Sequence, residues 1–257
     1  MKKLVYLMAS FLSFSLLAAC GGEAQGDNKL IMGTSADYPP YEFIETEVSD
    51  EIIGFDVDLA KAITEELGYE LEIVDIDFNG LIPALNAERI DFIQAGMTPT
   101  EERKENADFS DIYYVGAHMI VTSEESGIET MEDLEGKTLG VQLGSIQEGQ
   151  AENIAEIVSD VSIDSRNRIP ELIQEIHTNR FDAAIIAETV ALNHIAENPG
   201  LTGFVLEGVT EEDGNAIAFR KGSGLVEEFN EVIQEMKENG ELEELILKWF
   251  DAELPQS

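Results

Sequence analysis

The 257-residue sequence contains little cysteine and few basic residues. Its only cysteine is Cys20, so no disulfide can form within the chain. Lysine and arginine number 15 against 53 aspartates and glutamates, which gives a formal net charge of −38. A surface this acidic repels phosphate backbones, which excludes nucleic acid as a partner. The histidines at positions 118, 177 and 194 lack metal-ligand spacing, so no metal or other cofactor is predicted.

Long apolar runs are absent except near the N-terminus. Two lysines precede an apolar stretch at residues 4–17, which ends in Leu-Ala-Ala before Cys20. The stretch is too short for a spanning helix and has the layout of an export signal. It resembles the bacterial lipoprotein signal, which implies a signal peptide at 1–19, a lipid on Cys20 and a flexible tether at 20–28. An ordinary secretion signal with a coincidental cysteine is the alternative.

One segment, residues 96–103, joins a predicted strand at 90–95 to a predicted helix at 101–107. Thr100 is a suitable N-cap, and free N–H groups at a helix start favour an anion. Arg103 lies against the helix dipole, and no acid stands at helical spacing from it. Arg103 therefore either grips an anionic ligand or pairs with a distant acid, and the residues leave both interpretations open.

The rest of the chain alternates between strand and helix patterns, which predicts α/β lobes with mostly parallel sheets. A second helix start follows the predicted strand at 138–142, where Ser145 and Glu148 fit a capping box. Two lobes facing each other across a cleft would bring both helix starts to one small ligand. Further strands are predicted at 29–34, 71–74, 181–186 and 216–219, and helices at 57–67, 81–87, 169–177, 189–198, 225–238 and 242–250.

Several short motifs, in this order and spacing, resemble the extracytoplasmic solute-binding proteins of amino-acid ABC importers. They lie at residues 33–43, 54–60, 96–103, 108–114, 140–145, 182–183 and 248–250. The resemblance covers about residues 29–251 and implies a two-lobed periplasmic-binding-protein-like fold with two hinge strands. It places lobe 1 at 29–114 and 211–257, and lobe 2 at 115–210. Hinge closure around the ligand is expected.

The resemblance also implies roles for individual residues. Arg103 is expected to clamp the α-carboxylate of an amino acid, with help from the hydroxyl and N–H of Thr98. The carbonyl of Gly96 is expected to accept from the α-ammonium. Ser145 and Ile146 are expected to present backbone N–H groups of lobe 2 to the carboxylate. Many relatives have threonine at position 146, and isoleucine lacks its hydroxyl.

Other positions concern the ligand's side chain and its ammonium group. Tyr38 and Phe78 match positions that sandwich the ligand side chain, with core packing as the alternative. Gln147 is expected to reach either a polar ligand group or solvent. Most relatives carry an acid where this chain has Ala187, so we predict that Glu188, the next residue, pairs with the ammonium.

Alternatives to Glu188 are Asp37, or the Gly96 carbonyl together with water. Basic-amino-acid binders of this family often carry an acid where this chain has Ser35, so polar and basic ligands both remain open. The resemblance implies a monomeric, non-enzymatic receptor, lipid-anchored on the outer face of the cell membrane, that delivers its amino acid to an ABC permease. The alternatives are a cyclohexadienyl dehydratase-like enzyme on the same fold and a sensor lipoprotein.

Overall fold

The computed structural model describes residues 28–45, 49–206 and 214–250. The predicted signal peptide, Cys20, the tether up to residue 27 and the last residues of lobe 1, 251–257, lie outside these ranges. None of the helices in the three described ranges has the length and apolar character that crossing a membrane requires.

The described ranges contain thirteen strands and eight α-helices. The strands are β1 (Lys29–Thr34), β2 (Asp37–Tyr38), β3 (Glu42–Ile44), β4 (Ile52–Ile53), β5 (Glu70–Asp75), β6 (Phe92–Ile93), β7 (Asp108–Phe109), β8 (His118–Ser123), β9 (Thr138–Gln142), β10 (Ser162–Arg166), β11 (Ala183–Ala187), β12 (Leu201–Leu206) and β13 (Ala218–Phe219). The helices are α1 (Phe55–Glu66), α2 (Leu81–Asn86), α3 (Glu101–Asn106), α4 (Ile146–Ile157), α5 (Ile169–His177), α6 (Glu188–Glu197), α7 (Leu225–Asn239) and α8 (Glu241–Phe250). Short 3₁₀ turns cover Phe78–Gly80 and Met131–Leu134.

Ten strands form two five-stranded sheets, with the orders β5-β1-β6-β13-β7 and β10-β9-β11-β8-β12, and β2-β3-β4 form a small antiparallel sheet. In the first sheet β1 runs parallel to β5 and β6, and in the second β9 runs parallel to β10 and β11. The remaining neighbours in both sheets are antiparallel. This arrangement confirms the predicted two-lobed α/β fold, and parallel pairs make up half of the neighbour pairs in each of the two sheets.

The chain passes between the two sheets twice. The first sheet takes its strands from residues 29–109 and 218–219, and the second from residues 118–206. The two crossing segments pair antiparallel at Tyr114 and Asn215, where the N–H of Asn215 donates to the carbonyl of Tyr114 at 2.8 Å. The lobe boundaries at 114/115 and 210/211 stay predictions.

The structure differs from the sequence-based expectations at three places. Strand β10 was not predicted, because its sequence Ser-Ile-Asp-Ser-Arg is polar and its first three residues are exposed at the sheet edge. The strand predicted at 90–95 is paired only at Phe92–Ile93. The capping box at Ser145 does not form: Glu148 instead accepts from the N–H of Gly144 at 2.7 Å, and the Ser145 hydroxyl makes no hydrogen bond to another described residue.

Helix α1 brings one acid toward the space between the lobes. Its apolar residues Val57, Leu59 and Ile63 are fully buried, as their helical spacing predicts. The helix begins after Gly54, which has φ 136°, and a Cβ at Gly54 would stand 2.1 Å from the carbonyl oxygen of Tyr41. Only glycine permits this close approach, which fixes the start of α1 and buries Asp56 in its first turn.

Candidate functional site

A cavity lies between the two lobes at the ends of their parallel strands. The free space inside it is about 30 Å³, enough for about two water molecules. Both sheets and the two crossing segments contribute to its wall, as expected for a site at the carboxyl ends of strands. It is lined by Ser35, Tyr38, Tyr41, Glu42, Phe78, Ala95, Gly96, Thr98, Arg103, Gly116, Ala117, His118, Gln142, Ser145, Ile146, Gln147, Ala187 and Asn215.

Arg103 presents a buried guanidinium to this cavity, with 9% of the residue exposed. One terminal nitrogen donates to the carbonyl of Thr98 and the other to the carbonyl of Gly144 in lobe 2, both at 2.8 Å. In the described part of the chain no carboxylate comes within ion-pair distance of it. The interpretation of Arg103 as the partner of a distant internal acid is therefore wrong. A guanidinium has five N–H donors, so donors remain for an anion.

Burial lowers the pKa of Arg103 to about 10, against a small opposing effect of the Glu102 carboxylate. The direction of this shift shows that the cation is desolvated without a compensating negative charge close by. The carbon of its guanidinium stands 5.3 Å from the centre of the Phe78 ring, a cation–π contact that orients the side chain.

Helix α4 points its first turn at the cavity from lobe 2. Ser145 is its N-cap residue, Ile146 its first residue, and Gln147 is buried beside them. The Ser145 hydroxyl oxygen is buried and has no hydrogen-bond partner among the described residues. Because the first N–H groups of a helix have no partner within the helix, this turn is a favourable place for an anion.

The acids near the cavity are on the lobe 1 side. The Asp56 carboxylate accepts from the N–H of Gly96 at 2.7 Å and from the Tyr113 hydroxyl at 2.9 Å. Glu42 lines the cavity, is 1% exposed, and receives no N–H or O–H from any other described residue on either carboxyl oxygen. A proton on one of these two carboxyl groups can be shared with the other.

Burial is the main reason why both acids resist ionisation. It raises the pKa of Asp56 to about 7, although the Gly96 N–H and the Tyr113 hydroxyl lower it. Burial also raises the pKa of Glu42 well above its usual range, and the negative charges of Asp56 and Asp37 raise it further. A cation that enters the cavity would therefore lower the pKa of both carboxyl groups and stabilise their ionised forms.

Residues 30–252 match the family model of bacterial extracellular solute-binding proteins, family 3. The chain belongs to this family. It is 51% identical over 259 residues to the arginine-binding extracellular protein ArtP of Bacillus subtilis, a match that covers 98% of this chain and 100% of that protein.

Solved structures of amino-acid-binding proteins resemble this family member along most of their length. An ancestral arginine-binding protein bound to arginine is 38% identical, with a TM-score of 0.81, covering 87% of this chain and 98% of that one. An ancestral arginine-binding protein bound to glutamine is also 38% identical, with a TM-score of 0.79 and the same coverage. The predicted family is thus confirmed.

Eight of the nine predicted binding residues line the cavity of this solute-binding protein, and Glu188 is the exception. Tyr38, Phe78, Gly96, Thr98, Arg103, Ser145, Ile146 and Gln147 are brought together. Their roles in ligand binding stay predictions. Glu188 starts α6, where its N–H donates to the carbonyl of Ala117, and its side chain is not part of the cavity wall.

Asp37, the alternative partner for an ammonium, does not line the cavity either. It accepts from the Ser35 hydroxyl at 2.8 Å and from the N–H of Ile169 in lobe 2 at 2.7 Å, and it lies 3.5 Å from Arg168. Its carboxylate therefore already has protein partners.

Sequence reasoning missed Glu42, the one acid among the lining residues. The available signal was an acid between two aromatic residues, Tyr41 and Phe43, in a segment that follows two prolines. An acid in that position is as typical of a solvent-exposed turn as of a binding site. Tertiary packing against α1, which the local sequence does not reveal, is what buries it. His118 and Gln142 also line the cavity and were not predicted as site residues.

Proposed function

We propose that this chain is the extracytoplasmic receptor of an ABC importer and that it captures L-arginine in the interlobe cavity. The observation that carries the proposal is the pair of buried ionisable side chains of opposite type in one cavity, Arg103 and Glu42, of which neither has a charged protein partner of opposite sign among the described residues. The names of the relatives and structures reported above support an amino-acid ligand.

The α-carboxylate of the ligand binds at the Arg103 end. Arg103 keeps free N–H donors there, and the first turn of α4 adds backbone N–H groups and the Ser145 hydroxyl. A charge-assisted bidentate contact between a guanidinium and a carboxylate is among the stronger polar interactions in proteins. Thr98 and Gly96 lie on the same wall, where the hydroxyl of one and the carbonyl of the other serve the backbone of the ligand.

The charge balance favours a cationic amino acid over a neutral one. Arg103 contributes one positive charge, and Glu42 and Asp56 contribute two negative charges when both are ionised. The fully ionised site thus has a net charge of −1, which a bound arginine with its net charge of +1 neutralises. A neutral amino acid such as glutamine is matched instead when Glu42 and Asp56 share one proton, so glutamine is the second candidate.

A thermal-shift screen of the purified protein against the common amino acids tests this function. We expect arginine to raise the melting temperature by about 5–10 °C at a concentration of about 100 Kd, with smaller shifts for lysine, histidine and glutamine. Calorimetry then ranks the affinities. If no amino acid raises the melting temperature, the receptor function is wrong. If glutamine binds more tightly than arginine at neutral pH, only the choice of ligand is wrong.

The membrane part of the proposal depends on Cys20. We propose that the residue carries a lipid that anchors a monomeric receptor beside its permease, because two acyl chains suffice for stable anchoring. Cys20→Ala should move the protein from the membrane fraction to the soluble fraction, and Cys20→Ser should do the same. Retention of both variants in the membrane fraction would show another anchor.

We also propose that the chain is not an enzyme. An acid pair in a cavity is compatible with proton transfer, so Glu42 and Asp56 make the question worth an assay. Incubation of the purified protein with prephenate or arogenate should yield no product above the uncatalysed background. Turnover that disappears in Glu42→Gln would favour the cyclohexadienyl dehydratase-like alternative.

A further inference from the structure

Arg168, in lobe 2 directly before α5, makes a cluster of contacts with lobe 1. Its Nε donates to Asp77 at 2.6 Å and one terminal nitrogen donates to Asp75 at 2.8 Å. The same guanidinium lies 3.5 Å from Asp37. All three acids belong to the lobe 1 segments that include β2 and the end of β5. One cation of lobe 2 is therefore surrounded by three acids of lobe 1.

These contacts lie outside the cavity wall, since Arg168 does not line the cavity. Both neighbours of Arg168 in the sequence bind the same acids of lobe 1. The N–H of Ile169 at the start of α5 donates to Asp37, and the side chain of Asn167 donates to Asp77 at 3.3 Å. Partial burial lowers the pKa of Arg168, but the hydrogen bonds and charges of Asp75, Asp37 and Asp77 raise it on balance. The guanidinium is thus held by the facing lobe.

The overall charge of the protein opposes closure of the lobes. With 53 acids and 15 basic residues, closing the lobes brings two acidic surfaces together, and like charges repel each other at close range. A cation placed at the edge of one lobe, opposite acids of the other, converts part of that repulsion into attraction. The network also reaches the ligand cavity, because Asp37 holds the hydroxyl of Ser35, a lining residue.

We infer that Arg168 is a positioning residue that holds the lobes closed around the amino acid through Asp75, Asp77 and Asp37, without contacting the ligand. This inference rests on the proposed function, since it describes the closed form of the same receptor. The contact forms only when the lobes meet, so it slows the release of ligand and leaves the first encounter unchanged.

Binding kinetics of Arg168→Gln test the inference, with arginine as the ligand. We expect the dissociation rate to rise about tenfold and the association rate to stay within about twofold. The melting temperature of the unliganded protein should change little, because the contact stabilises only the fraction of those molecules in which the lobes are closed. Arg168→Lys restores part of the loss. High salt should make the dissociation rates of arginine from wild type and from Arg168→Gln more similar, because screening weakens an exposed ion pair.

Arg166→Gln is the matched control. Arg166 stands two residues earlier and makes its ion pairs within lobe 2, with Glu175 at 2.9 Å and Asp164 at 3.1 Å. Its replacement should lower the melting temperature of the unliganded protein and leave the dissociation rate of arginine unchanged. Asp77→Asn should raise that rate, and its effect should not add to that of Arg168→Gln, because the two residues act through one contact.

A distance measurement tests closure without relying on any amino acid. Spin labels on Glu101→Cys and Asn153→Cys stand on opposite sides of the groove between the lobes. Arg168→Gln should reduce the short-distance population of the labelled protein, whether or not arginine is present. An unchanged short-distance population together with an unchanged dissociation rate overturns the inference, and a failure of the wild type to bind any amino acid overturns the proposed function instead.

Discussion

The interlobe cavity has two kinds of buried ionisable group. We call the part of the wall around Arg103 the cation end and the part around Glu42 the acid end. At one end the Arg103 guanidinium is held by the backbone carbonyls of Thr98 and Gly144. At the other end the Glu42 carboxyl faces Asp56, so an acid is placed beside a second acid. Neither end contains its own counter-charge among the described residues.

The difference between the ends shows how the cavity selects its ligand. The cation end is preorganised, because neutral carbonyl dipoles fix the guanidinium without cancelling its charge. The acid end is adjustable, because a pair of buried carboxyl groups can hold or release a proton. The first end fits the carboxylate common to all amino acids, and the second responds to the charge of the ligand.

Removal of the cation end should have the largest effect. Arg103→Gln keeps some hydrogen-bonding capacity but deletes the only guanidinium among the described residues that line the cavity, so the affinity for every amino acid should fall by about 1,000-fold or more. Calorimetry measures the loss. Arg89→Gln, at an exposed position in the same lobe, is the control and should bind normally. Retained affinity in Arg103→Gln would mean that the carboxylate binds elsewhere.

Removal of the Glu42 charge should weaken the binding of arginine more than that of glutamine. Glu42→Gln keeps the shape of the side chain and removes its charge, so the affinity for arginine should fall by about 100-fold while that for glutamine changes little. Glu45→Gln, three residues later and exposed, should leave both affinities unchanged. An equal loss for the two ligands would mean that Glu42 serves the ammonium group rather than the ligand's side chain.

The acid pair also predicts a pH dependence. Because a bound arginine requires both carboxylates and a bound glutamine leaves one proton on the pair, the arginine complex holds one proton fewer. The ratio of the arginine affinity to the glutamine affinity should therefore rise with pH, by up to about tenfold per unit, for as long as the glutamine complex keeps its proton.

Calorimetric titrations between about pH 6 and pH 8 measure this ratio, since arginine itself stays charged throughout. Asp56→Asn removes one member of the pair and should flatten the pH dependence. A ratio that does not change with pH in the wild type would show that the carboxyl groups keep the same protonation with both ligands.

The sequence was sufficient for the cation end and insufficient for the acid end. Arg103 could be predicted because its segment is local: a strand, a turn and a helix start lie within residues 90–107. Glu42 could not, because β3 is only three residues long and its burial depends on α1 packing against it from further along the chain. Glu188 was chosen by its spacing from Asp182, and the turn that starts α6 takes it out of the cavity wall.

The smallest expected effect concerns Phe78, which touches the cation end but carries no charge. Its ring lies 5.3 Å from the Arg103 guanidinium, so Phe78→Leu removes an orienting contact and should weaken arginine and glutamine alike, by about three- to tenfold. Phe43→Leu is the control, because that ring packs on Trp249 outside the cavity wall. If only the affinity for arginine falls, Phe78 packs against the guanidinium of the ligand instead. Phe78 would then help to distinguish arginine from neutral amino acids.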